Sequence, residues 1–160
     1  MRLVRLLSVL LLVVACINVP VQSQTAVAST PVQRITAPID ETNLAALPGN
    51  VHPLAQARFD LGVAPGSMAT GRILLVLQRS AAQQQALTQY LADVQNPSSP
   101  SFHKWLTPAQ YGAAYGIGDS DLQTVESWLE ANGFKIEKVP QGRNVIQFSG
   151  TVSQIASAFH

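Results

Sequence analysis

The sequence predicts an α+β fold in which helices cover one face of a small antiparallel sheet. Three observations carry this reading: a short apolar run at 71–78, a two-strand hairpin pattern over 134–149, and helical periodicity in the segments between and after them. The chain has 160 residues, enough for one domain with a tail. Its formal net charge of +1 excludes nucleic-acid binding by bulk electrostatics. A single cysteine, Cys16, excludes internal disulfides and multi-cysteine metal sites.

The run Ile73-Leu74-Leu75-Val76-Leu77 lies between Gly71 and Arg79-Ser80 and is apolar on both faces, as a central strand is. Ser80 is placed to cap a helix from Ala81 to about Gln95. Leu87, Tyr90, Leu91 and Val94 make its apolar stripe, with Gln83, Gln84 and Gln85 expected to face water. The Asn96–Ser101 stretch, with Pro97 and Pro100, ends it in a loop. Thr107-Pro108 opens a short helix to about Tyr115, because Thr accepts from orphan amides and Pro at the first position loses no hydrogen bond. A further helix starts near Asp119-Ser120, buries Leu122, Val125 and Leu129, and closes at Asn132-Gly133. Phe134 to Glu137 alternates as a half-buried strand, 141–144 turns, and Val145 to Ser149 returns as its hairpin partner. Thr151 caps a last helix with Val152, Ile155, Ala156 and Phe159 on its inner side.

This order fits a ferredoxin-like unit with inserted helices and its last strand missing. In that topology the absent strand pairs with the first, so 73–77 is left as an apolar edge, and the sequence reads as C-terminally incomplete. Ahead of the fold, Arg2 and Arg5 precede a short apolar run to Ile17, the layout of a secretory signal peptide over 1–23. The run is too short for a spanning helix, which needs about 20 apolar residues. A lipoprotein-type anchor at Cys16 is the alternative; otherwise no membrane contact is expected after cleavage, and the destination is secreted or periplasmic. Residues 24–46, rich in Thr, Ala, Pro and Gln, read as a flexible leader before a domain at 47–160.

Catalytic chemistry is not visible. His52, His103 and His160 stand alone, without metal-ligand spacing. Gly116-Ile117-Gly118 follows a helix and lacks the third glycine of a dinucleotide loop. Ser149-Gly150-Thr151 has no base nearby and Thr151 is needed as a cap. Asp119 and Asp121 are explained by the helix dipole, and Trp105 and Trp128 read as core or interface anchors.

One segment says more. His103-Lys104-Trp105-Leu106-Thr107-Pro108, with Gln110 and Tyr111, resembles the signature of the activation prodomain of sedolisin-type (kumamolisin-like) serine-carboxyl peptidases. Gly49-Asn50-Val51-His52-Pro53-Leu54-Ala55, Trp128-Leu129, Asn132-Gly133-Phe134, Phe148-Ser149-Gly150-Thr151 and Ala158-Phe159 keep the same order. The resemblance implies an intramolecular chaperone and inhibitor, removed by acid-triggered autoprocessing, whose partner is the catalytic domain in cis. The family's catalytic residues and its calcium site belong to that domain, so this chain is expected to hold no catalytic residue and no cofactor. The alternatives are a stand-alone secreted inhibitor or binding module, and an active peptidase of which these 160 residues are only the front. An open sheet face carrying Leu74, Val76 and Val145, rimmed by Lys135, Glu137 and Gln147, is the candidate interface. Glu126, Glu130 and Glu137 are the candidate carboxylates for acid release.

Overall fold

A computed structural model describes residues 31–160. The expected signal peptide, its cleavage site and the Cys16 alternative lie outside the described residues. A 3-10 turn at Ala57–Phe59 precedes the folded elements, which run β1 (Ile73–Val76), α1 (Ala81–Asp93), α2 (Pro108–Tyr115), α3 (Asp119–Ala131), β2 (Lys135–Lys138), β3 (Val145–Ser149) and α4 (Val152–Phe159). The architecture is α+β, as the sequence predicts.

Three helices begin as the sequence demands. Ser80, Thr107 and Thr151 each accept from the backbone amide three residues on, and Gln83, Gln110 and Gln154 reach back to complete three capping boxes. The glutamines are the half of this device that the sequence reading missed. Helix α3 has Gly118 at its N-cap and no side-chain cap. It closes at Gly133, whose φ of 80° only a residue without Cβ adopts freely.

The sheet is antiparallel with the order β1-β3-β2. Strand β3 is central, and its alternation puts Ile146 and Phe148 inward, at 0% and 1% exposure. Around them Ile117, Leu122, Leu129 and Phe134 complete a core that Ile73, Leu75, Ile136, Ile155 and Ala158 pack against. Phe134 meets Phe148 edge-on with ring centroids 5.1 Å apart. In α4 it is Ala158 that faces the core, while the expected Ala156 is exposed. The first amides of α4, at Val152 and Ser153, donate to the carbonyls of Met68 and Gly66, so the chain before β1 satisfies the helix's orphan donors.

Helix α1 packs on α2, burying Leu87, Val94 and Tyr115 apart from the sheet core. Leu91, expected in the stripe, is 45% exposed. Gln83, expected in water, is buried, because its Nε2 donates to the Gly116 carbonyl at 2.9 Å while its Oε1 serves the cap. Arg79 ties the same corner together, donating to the Tyr115 carbonyl at 3.2 Å and the Tyr111 hydroxyl at 2.6 Å. A Cβ at Gly112 would collide with the Gln141 carbonyl, so glycine lets α2 lie directly on the hairpin turn.

That contact yields a test. Gly112→Ala forces the new Cβ against the Gln141 carbonyl and should cost about 1–3 kcal/mol of stability, read as a lowered midpoint in thermal or urea denaturation. An unchanged midpoint would show that α2 does not need this approach.

Candidate functional site

Two surfaces hold the residues that the sequence singles out. The first is the uncovered face of the sheet. Register pairs Leu74 with Gln147 and Val76 with Val145, so these four side chains share one face, opposite Ile73, Leu75, Ile146 and Phe148. Leu74 is 57% and Val76 69% exposed, a high value for aliphatic side chains in a strand. Lys135 pairs with Ser149 on the same face and alternation places Glu137 there too, while a bulge between Ile136 and Lys138 pairs Lys138 with the outward Gln147. Glu137 accepts from the Ser149 hydroxyl at 2.8 Å and pairs with Lys135 at 3.0 Å. The Ser149 hydroxyl, followed by Lys135, holds the Glu137 carboxyl below its ordinary value. All six expected interface residues therefore lie on one face, but not as a centre and rim: with the order β1-β3-β2 the apolar residues occupy the β1 edge and β3, and the charged pair the opposite edge on β2.

The edge of this face is open too. The Leu77 amide donates to the Asn144 carbonyl, and in an antiparallel ladder this aims the backbone of 73, 75 and 77 at β3 and that of Leu74 and Val76 away from it. Beside that edge runs a cleft of about 580 Å³, lined by β1, Phe148, Ile155 and Phe159 with Leu47 and Asn50 opposite.

The second surface is the loop between α1 and α2. His103 takes a left-handed φ of 55° while its amide donates to the Val94 carbonyl, and its ring stacks on Phe102 with centroids 3.7 Å apart. Trp105 follows at 6.2 Å from His103 and is 64% exposed. It is neither core nor covered by the described residues. The Tyr90 hydroxyl fixes the backbone on both sides of it, donating to the Lys104 carbonyl at 2.9 Å and accepting from the Leu106 amide at 3.0 Å. His103, Lys104, Thr107, Pro108 and Gln110 are exposed, whereas Leu106 and Tyr111 are half-buried. Trp105 is held through Tyr90 of α1, and Leu74 lies on β1.

Comparison with known families decides what these surfaces belong to. The model described as "Pro-kumamolisin, activation domain" matches residues 59–160. The chain belongs to the pro-kumamolisin activation domain family. It is also 34% identical, over 74 residues, to xanthomonalisin of Xanthomonas sp. (strain T-22). That stretch is 46% of this chain and only 9% of the relative, so the chain spans a small fraction of its length. The family match takes in every structural element from β1 to α4 and both surfaces just described.

The isolated histidines of this activation domain stay apart. His52 accepts the Leu54 amide within an exposed turn, His103 serves the aromatic stack, and His160 follows α4. Among the described residues no group of three metal-ligating side chains comes together, and no helix is long and apolar enough to cross a membrane. Asp119 pairs with Arg143, while Asp121 binds distant backbone amides, a role that the helix dipole does not account for.

Two measurements check this geometry. Tyr90→Phe deletes the hydroxyl that holds the loop, so the Leu106 amide should exchange with solvent about tenfold faster, with the α3 amides unchanged. The Glu137 carboxyl, monitored by NMR, should titrate below its ordinary 4.5. Because the folded value is lowered, its stabilising contacts are complete above 4.5 and are lost as pH falls through the folded value. Ser149→Ala should move that midpoint upward, and a midpoint indifferent to Ser149 would remove the hydrogen bond as its cause.

Proposed function

We propose that this domain is the removable activation segment of a secreted sedolisin-type endopeptidase, packing its open sheet face on the catalytic domain of the same precursor as folding template and inhibitor. The observation that carries the reading is the pair Leu74 and Val76, exposed on the edge strand β1 of a face whose opposite edge, on β2, is charged. A protein interface combines exposed apolar contact of this kind with flanking polar groups. The family match supports the role, and the relative, by name a xanthomonalisin, is a far longer protein than the matched stretch.

Acid release follows from the rim. Protonation removes the negative charge of Glu137, so Lys135 loses its counter-charge and the bond from the Ser149 hydroxyl loses its charge assistance. Any pairing of the same carboxylate with the catalytic domain would weaken over the same range of pH. Glu126 and Glu130 sit on α3 and carry no comparable contact on this face. The cleft along β1 suits a fourth, edge strand, which is how a ferredoxin-like unit closes its sheet on that side.

The test uses the complete precursor. Leu74→Asp places a charge in the exposed apolar patch on β1 and should weaken inhibition of the released peptidase by about tenfold or more, while the circular dichroism of the domain stays as in wild type. Unchanged inhibition with an intact fold would overturn the proposed face.

A further inference from the structure

Residues 31–47 precede the family match yet run along α3 from its first turn to its last. Pro31 lies against Gly118, within 3.8 Å of where a Cβ would stand. Next, the Asp121 carboxylate accepts the Arg34 amide at 2.9 Å on one oxygen and the Ile35 amide at 2.9 Å on the other, with a further contact of 3.1 Å from Arg34. Asp121 is 3% exposed, and these are the bonds that satisfy it. The Arg34 guanidinium does not pair with it but donates to the Gln78 carbonyl at 2.6 Å, at the end of β1. Ile35 then lies over a cleft of about 360 Å³ lined by Leu77, Ile117 and Val125. Two turns on, the Trp128 indole donates to Glu41 at 2.8 Å.

We propose that residues 31–41 are a strap docked on α3, with Asp121 as the latch, and that it opens as a local unit without unfolding the domain. Three features argue for this. The strap contains no helix or strand of its own, so nothing but its contacts with α3 and Gln78 holds it. Its apolar burial is small, since Val32 is 76% and Ile39 40% exposed and Ile35 alone lies over the apolar cleft. The central grip is one carboxylate on two successive backbone amides, which asks for an acceptor at 121 and for no particular side chain at 34 or 35. When it is open, Asp121 and the apolar wall formed by Leu77, Ile117 and Val125 face solvent. The strap therefore decides whether that end of α3 is covered or available, independently of the open sheet face on the other side of the sheet.

Hydrogen exchange read by mass spectrometry on the 160-residue chain tests the latch. In wild type the Arg34 and Ile35 amides should be protected. Asp121→Asn keeps the shape but exchanges an acceptor oxygen for a donor, so those two amides should exchange about tenfold faster or more while Ile146 and Phe148 keep their protection. Equal exchange in both proteins overturns the latch. Loosening of Ile146 and Phe148 to the same extent overturns it as a local unit. Ile35→Pro removes one donor from the strap and leaves Asp121 and the core untouched; it should speed the Arg34 amide and shift Trp128 emission to the red. An unaltered Arg34 amide in that variant counts against the proposal even if Asp121→Asn proves poorly folded.

Discussion

Ile146 and Phe148, alternating with Val145, Gln147 and Ser149 along the central strand, hold this fold together. A strand with a period of two has one face to bury and one to show. Helices α3 and α4 close over the buried face, and the aromatic rings of Phe134, Phe148 and Phe159 meet there within 6.3 Å of one another. Strands β1 and β2 and helices α3 and α4 take their positions from that packing. Gly150 shows how tight it is, since a Cβ there would stand 2.6 Å from the Phe134 ring. With the strand so fixed, Leu74 and Val76 on β1 are left facing outward, and a slip of one residue would exchange the two faces.

Helices α1 and α2 are joined to this core by polar contacts more than by shared apolar surface. Gln83 reaches the Gly116 carbonyl, Arg79 reaches Tyr115 and Tyr111, and the Ile117 amide donates to the Arg143 carbonyl. Hydrogen bonds of this kind are directional, so they set the orientation of the helix pair, whereas burial alone fixes only its proximity. Burial around Tyr115 raises the pKa of its phenol, with Tyr90 adding to the effect, so the ring stays neutral inside the pair. The loop with Trp105 is carried on this rigid corner through the Tyr90 hydroxyl. An exposed tryptophan held in one position loses little conformational entropy when something covers it.

Much of the architecture is legible from local signals. Caps at Ser80, Thr107 and Thr151, the glycine at 133 and the hairpin turn at 141–144 each depend on chemistry within a few residues, so the sequence displays them directly. Strand alternation likewise places Leu74, Val76, Val145, Gln147, Lys135 and Glu137 on one face. The errors arise where a residue's partner is distant. Gln83 reads as water-facing because its acceptor is 33 residues away. Asp121 looks like a helix-dipole residue because the amides it binds are 86 and 87 residues away. Leu91 and Ala156 fit a helical stripe by period, yet the helix pair and the sheet cover a narrower arc than the stripe allows.

The sequence by itself determined the class of fold, the start and end of nearly every element, and, through the segment His103 to Tyr111, the family. These are properties of short stretches, set by backbone sterics, capping and periodicity that neighbouring residues impose on one another. Only the tertiary structure decided that Trp105 is displayed and not buried, that α1 pairs with α2, and that residues 31–41 lie on Asp121. Those outcomes depend on contacts closed across tens of residues, and no periodicity records which distant backbone amide will meet a given carboxylate.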